Sequence, residues 1–378
     1  MKTALSLLTL FLFSQLGAAG DALKWKSLPA IPDERGFAGP FAGAIEGNLI
    51  VTGGANFPEA PPWEGGKKVW HDGIFILKKN AKQWIVSEIK LPKVTAYGLS
   101  FSIPSRDSIV MVGGSDSNNE PTNSAFELKL ENGKPHFLTL PNLPIPLAEA
   151  SGAALETTVY VFSGRSVKGI VKQAFRIELN TTVPAWEEIP WPAGARGRVH
   201  STAGVLGGKL FLFAGRDAMS ESAPAYSKDR LTGEKLDFLR DCYQLDPKSL
   251  KWKRLADLPI GLSAAPMNAV PAGDSQLMML GGVGAEFIRD QIAARPEING
   301  QGTEHPGFSR TIRAYNAKPD TWTEVGVVPE TFAPPVTVPV VPMRDGFFVI
   351  PSGEIKPGIR TTQVLAVRCT PTKGEAKK

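Results

Sequence analysis

The sequence predicts an all-β fold, a six-bladed β-propeller, and three observations carry that prediction. An apolar run ending in a small residue and glycine occurs six times, an aromatic residue followed by an apolar-Pro pair occurs six times in the same phase, and the two chain ends each hold part of one blade. Internal repetition at a period near 50 residues signals a ring or solenoid, so it is read before any local feature.

The glycine-ended runs are LIVTGG to Gly54, IVMVGG to Gly114, VYVFSG to Gly164, LFLFAG to Gly215, LMMLGG to Gly282 and FFVIPSG to Gly353, at spacings of 60, 50, 51, 67 and 71. Most follow a turn signal such as Glu46-Gly47-Asn48 or Gly207-Gly208-Lys209, and their Val, Ile, Leu and Phe content suits a buried strand. The aromatic markers are Trp25, Trp84, Phe137, Trp186, Trp252 and Trp322, followed by Leu28-Pro29, Leu91-Pro92, Leu140-Pro141, Ile189-Pro190, Leu258-Pro259 and Val328-Pro329. Between the two markers lie third-strand candidates: 73–77, 125–130, 173–179, 241–245, 311–315 and 362–367. Each unit is therefore four short antiparallel strands, the pattern of a kelch-type blade. Trp25 precedes the first glycine marker, while the chain runs out after the third strand of the last unit. An N-terminal strand is thus expected to complete the last blade and close the ring, which removes open sheet edges.

Composition agrees with one large folded domain. The chain has 378 residues, 42% hydrophobic and 21% charged, which excludes disorder. Its net charge of +5 is spread without a basic run, so nucleic acid is not an expected partner. The first residues, with Lys2, an apolar run from Ala4 to Phe13 and small residues at Gly17-Ala18-Ala19, read as an export signal over 1–19. That run is too short to span a bilayer, and no second long apolar stretch follows. The expectation is a periplasmic or secreted propeller over 20–370 with a tail at 371–378, not membrane-bound. Cys242 and Cys369 fall on distant blades and are expected as free thiols. No heptad or apolar surface stripe fixes the oligomeric state, and a homodimer stays open.

In a four-stranded meander the loop after the second strand and the loop leading into the next blade emerge on one face. Residues just after each glycine marker therefore share a mouth: Asn56, Asp116, Arg165, Arg216 with Asp217, Glu286, and Glu354 with Arg360. Residues after the apolar-Pro pairs join them, including Arg35, Tyr97, Glu149 and Arg198. Scattered surface charge needs no role, but three arginines converging on one funnel favour an anionic ligand. Insertions at 56–72, 217–240 and 283–310 lie on this face. The first mixes Trp63 and Trp70 with Lys67, Lys68 and His71, suited to stacking on a sugar or to pinning the loop. In the third, 286–294 has the pattern of a short helix over the funnel.

The segments GFAGPFAG (36–43), GGANFPEAPPWEGGKKVWHD (53–72) and above all SGEIKPGIRT (352–361) resemble the secreted sialic acid mutarotases, also called N-acetylneuraminate epimerases. The resemblance covers the mature chain in blade count and marker phase, with the blade order cyclically permuted. It implies a kelch propeller that interconverts the α and β anomers of N-acetylneuraminate without a cofactor, with Glu354 as proton acceptor and Arg360 as the functional arginine. Arg165, Arg216, Asn56 and Arg198 are the further substrate-binding candidates from the mouth. The chemistry fits the residues: one carboxylate can take the proton from the anomeric hydroxyl and return it as the ring closes. Arg360 could grip the substrate carboxylate with two parallel hydrogen bonds, while a plain Glu-Arg brace of the 356–358 turn is the bland alternative.

Other chemistries are poorly supplied. His71, His136, His200 and His305 lack zinc or copper spacing, so no metal is expected. The glycine pairs do not fit a phosphate loop. No Ser-x-Asp-x-Gly-x-x-Thr-Trp box, the repeat of propeller sialidases, occurs. The competing reading is a propeller that only binds, as a carbohydrate-recognition or interaction module, or a mutarotase of another sugar.

Overall fold

The computed structural model describes residues 23–217, 238–284 and 302–369. The expected leader at 1–19, the tail at 371–378, Glu286 and the 286–294 helix lie outside the described residues. Six four-stranded antiparallel sheets stand around one axis. Blade 1 is Phe41–Ile45, Asn48–Thr52, Ile74–Leu77 and Ile85–Val86, in that order. Blades 2 to 5 occupy 99–139, 151–189, 202–255 and 270–327 in the same order. Among the described residues the remainder is short ribbons, turns and two single 3-10 turns.

Blade 6 takes Val341–Pro342, Phe348–Pro351 and Val364–Cys369 from the C-terminal end and Leu23–Leu28 from the N-terminal end. The expected closure is therefore present. Leu23–Leu28 pairs antiparallel along its whole length, from Leu23 opposite Cys369 to Leu28 opposite Val364.

The core is six seams. Each apolar cluster joins two neighbouring blades, as with Phe41 and Ile50 of blade 1 against Ile109 and Met111 of blade 2, or Met278 of blade 5 against Ile350 and Leu365 of blade 6. Each glycine-ended run is a second strand that is wedged between neighbours, and Ser108–Val112 and Gln276–Leu280 are buried throughout.

Both sequence markers have a physical cause. The marker glycines turn the chain out of the second strand with left-handed backbones; at Gly353 (φ 109°) an added Cβ would come within 2.7 Å of the Pro335 Cβ. Four of the five marker tryptophans latch neighbouring blades, while the Trp25 indole N–H has no partner among the described residues. Trp84 donates its indole N–H to the Pro29 carbonyl (2.9 Å), Trp186 to Pro141 (2.8 Å) and Trp252 to Pro190 (2.6 Å), each proline being the marker proline of the preceding blade. Trp322 donates instead to Ala256 (3.1 Å).

At the axis the six blades are tied by a closed ring of backbone hydrogen bonds. Tyr97 N–H donates to Gly39, Gly39 to Thr337, Thr337 to Ala264, Ala264 to His200, His200 to Glu149 and Glu149 back to Tyr97, at 2.7 to 3.1 Å. All six residues are left-handed, with φ between 52° and 61°.

A chain beginning at Pro29 leaves Val364–Cys369 as an open sheet edge and uncovers the blade 5–6 seam beside Trp25. Such a chain should melt well below the full propeller and aggregate on heating, which thermal unfolding with light scattering will show; equal melting temperatures would disprove closure by this strand.

Candidate functional site

On the expected mouth, the residue after each glycine marker pairs with the segment entering its own blade. Ala55 pairs with Ala38, Ser115 with Ala96, Arg165 with Ala148, Arg216 with Val199, Val283 with Ser263 and Glu354 with Val336. The residue that follows in each entering segment is a ring residue. The mouth and the ring are therefore built by one repeated contact, and it places side chains around a cavity of about 320 Å3, within the range of small-ligand sites.

Glu354 and Arg360 stand in its wall on a ribbon of Glu354–Lys356 and Ile359–Arg360. Glu354 Oε1 accepts the Gly358 N–H (2.7 Å) and an Arg360 Nη1 hydrogen bond (3.1 Å). Lys356-Pro357-Gly358 is the expected tight turn. Gly358 is left-handed (φ 80°), and its Cα lies against Pro62 and Trp63 of the first insertion, where a Cβ would approach to 2.7 and 2.9 Å. Arg360 is nearly buried, stacks its guanidinium over Phe57 (4.8 Å) and reaches the Ala55 carbonyl through Nε (3.4 Å). Two of its five N–H donors are thus committed within the protein.

Arg216 is differently placed. It lines the same cavity, its buried Nε has no partner, and its guanidinium makes no hydrogen bond or ion pair with any described residue. Arg165 is one layer back. It donates to the Asn119 carbonyl (3.1 Å), the Asn119 side chain (3.3 Å) and Glu149 Oε1 (3.4 Å). Lys68, from the first insertion, lines the cavity with its ammonium facing the rings of Tyr97 (5.1 Å) and Trp70 (5.5 Å). Trp70 and Trp63 serve as pins, Trp70 on the Ser115 hydroxyl (3.3 Å) and Trp63 on Gly358.

Three of the substrate-binding candidates, Arg165, Asn56 and Arg198, do not line the cavity. Asn56 is 1% exposed and spent internally: its amide donates to the Gly36 carbonyl (3.0 Å) and its oxygen meets His71 Nε2 (2.8 Å). Arg198 is fully buried, forks onto both oxygens of Asp241 (3.1 and 2.7 Å), donates to the Ala214 carbonyl (3.2 Å), and packs against the rings of Tyr243 and Trp191. It is a brace within blade 4. Among the described residues no cluster of His, Cys, Asp and Glu is arranged to hold a metal ion.

The pair that sequence reasoning did not bring together is Glu149 and His200. They are adjacent ring residues, with His200 Nε2 3.9 Å from Glu149 Oε2. Both line the mouth cavity and also the narrow axial channel beneath it, so they form its waist. Burial opposes ionisation of Glu149, but the positive field of His200, Arg165 and Arg216 overrides it and holds the carboxyl below its usual range. Burial pushes the His200 imidazole down to about 4 against the partial opposition of Glu149, so it is neutral at neutral pH. The lasting positive charges around Glu149 are then the two arginines. The repeat itself held the signal. Aligning the entering segments puts Gly39, Tyr97, Glu149 and His200 each two residues before a first strand.

A sequence model of the N-acetylneuraminate epimerase family matches residues 13–136 and 140–377. The chain belongs to the N-acetylneuraminate epimerase family. It is similar to the N-acetylneuraminate epimerase of Yersinia pestis (strain Pestoides F), 26% identical over 239 residues that make up 59% of this chain and 56% of the relative. The N-acetylneuraminate epimerase of Salmonella typhi is 27% identical over the same lengths, and that of Yersinia enterocolitica is 34% identical over 135 residues, 31% of this chain and 33% of the relative. The chain spans about half the length of the first two relatives.

His200 gives a pH signature. An unfolded histidine gains its proton near 6.5, whereas His200 in the fold gains it only near 4. The unfolded state therefore binds more protons between these values, and stability is full above about pH 6.5 and declines as the pH falls toward 4. The His200 share of that decline is about 3 kcal/mol at about 1.4 kcal/mol per pH unit. Urea unfolding from pH 7 to 4 should show a shallower decline in His200→Gln than in the parent, and a His200 imidazole resonance, assigned by its loss in that variant, titrating near 6.5 in the folded protein would refute the assignment.

Proposed function

We propose that this protein is a mutarotase that interconverts the α and β anomers of N-acetylneuraminate. The observation that carries the reading is Glu354, held in the cavity wall by the Gly358 N–H and Arg360, with the Arg216 guanidinium, which has no partner among the described residues, lining the same cavity. Family membership and the printed activity of the relatives support it.

The reaction requires little machinery. The carboxylate of Glu354 takes the proton of the C2 hydroxyl, the C2–O6 bond breaks as C2 becomes a ketone, and the ring oxygen receives a proton. Rotation about C2–C3 then turns the other face of the carbonyl toward O6, and the same transfers in reverse close the ring. The C2 hydroxyl and the ring oxygen share one carbon, so one carboxylate can serve both. Arg360 and the Gly358 N–H fix that carboxylate's orientation. The substrate carboxylate, also on C2, goes to Arg216, with Lys68 adding positive field, because Arg360 is already engaged. A free charged fork in a partly dry cavity is the strongest available anchor for a carboxylate. No cofactor enters the scheme.

Export is part of the proposal and rests on the leader read at 1–19; N-terminal sequencing of the secreted or periplasmic form should begin near Gly20 or Asp21, and an intact Met1 there would contradict it.

Proton NMR of freshly released α-N-acetylneuraminate should show accelerated conversion to the β anomer, with Glu354→Gln slower by about 100-fold or more. A folded wild-type protein that leaves the spontaneous rate unchanged would instead favour the binding-only propeller, in which Glu354 and Arg360 merely brace their turn.

A further inference from the structure

We propose that Glu149 and His200 form a second subsite at the waist of the cavity, one that holds the polyhydroxyl side chain of an acidic sugar and selects substrates by it. The inference rests on the mutarotase reading for its substrate class, and on geometry for its location.

Three observations converge there. First, of the ten buried side-chain polar atoms without a hydrogen-bond partner among the described residues, two belong to residues that line this cavity: Glu149 Oε2 and Arg216 Nε. An acceptor and a donor that the described residues leave unpaired carry a desolvation cost, and hydroxyl groups, which both donate and accept, can satisfy both. Second, neither ring nitrogen of His200 hydrogen-bonds a described residue, so the neutral imidazole also presents one donor and one acceptor to the cavity. Third, the cavity has depth. Glu354, Arg216 and Arg360 line only the mouth, whereas Glu149 and His200 line both the mouth and the channel below.

Charge decides which end of the ligand goes where. The ligand carboxylate is repelled by the ionised Glu149 and drawn to Arg216, so the C1–C2 end lies at the mouth beside Glu354. The far end of a nine-carbon sugar acid is a chain of three hydroxyl-bearing carbons. Its hydroxyls donate to Glu149 Oε2 and exchange hydrogen bonds with His200. Oε1 is already held by Arg165 at 3.4 Å, which keeps the carboxylate in place for the second contact. The arrangement also serves the chemistry: once the ring opens, C2 must turn over while the molecule stays bound, and an anchored tail retains it.

The test is equilibrium binding by calorimetry at pH 7, with N-acetylneuraminate and the derivative shortened by C8 and C9 as the two ligands. The wild-type protein should bind the full-length acid tighter by about 30-fold or more, the scale of two hydrogen bonds of which one is to a charged group. In Glu149→Gln that ratio should collapse to about threefold or less. Glu149→Asp, which keeps the charge beside Arg165 but withdraws it from the cavity, should also lose most of the ratio and is read if the Gln variant melts early. Equal weakening of both ligands in the variants would mean that Glu149 only props Arg165 and Arg216, and would overturn the proposal, as would wild-type protein that binds both ligands alike or neither. Wild-type protein that discriminates the two acids yet does not speed anomer exchange would leave the subsite standing and defeat the mutarotase reading alone.

Discussion

The structure depends on the closed ring of six backbone hydrogen bonds at the axis. A propeller can be packed well at five seams and still fail at the sixth, and here the ring ties each blade to the next, Gly39 through Thr337 and back, with no open end. Closing it forces six residues into the left-handed region, five of them with side chains, at roughly 1 kcal/mol or more each. The surrounding structure must over-determine such positions for them to persist. It does so here through the six interblade apolar seams, the tryptophan latches at the rim and the N-terminal strand that completes blade 6.

That strain has a functional return. Tyr97, Glu149, His200, Ala264 and Thr337 line both the mouth and the axial channel, because the ring geometry sets them where the two spaces meet. Two of the five are ionisable, and they fall on opposite sides of one balance: burial wins at His200, which stays neutral, whereas at Glu149 the surrounding positive field outweighs burial and the carboxyl stays ionised. The scaffold and the electrostatics of the site thus arise from one contact repeated around the ring.

The blade count, the strand order and the closing strand were legible in the sequence because each marker is tied to a backbone requirement. Glycine marks the left-handed exit from a buried strand, and the tryptophan and proline mark the donor and acceptor of an interblade latch. The mouth was legible for the same reason, since the meander dictates which loops share a face. What spacing does not encode is the direction of a side chain once it arrives there. Arg198 enters the mouth segment as expected, yet Asp241, just before the third strand of its own blade, claims both prongs of the guanidinium. Asn56 is likewise claimed by His71 and Gly36. His200 escaped notice for the opposite reason: tested only for metal-ligand spacing, it showed none, although its place in the entering segment matches that of Glu149.

The division between Arg360 and Arg216 shows why residue type alone assigns roles poorly. Both arginines reach one cavity from positions near a glycine marker, and both are suited to bind a carboxylate. Arg360 lies six residues beyond Glu354 on a two-stranded ribbon, so its nearest carboxylate is the protein's own, and the pair fixes that carboxylate's orientation. Among the described residues Arg216 meets no such partner, because the carboxylate in its field, Glu149, is already hydrogen-bonded to Arg165. An arginine that is attracted to a carboxylate it does not touch leaves the cavity, which Lys68 also lines, with an excess of positive charge. In the proposed function a ligand acid balances that charge, and the ionised Glu149 would have it enter with its carboxylate held away from the waist.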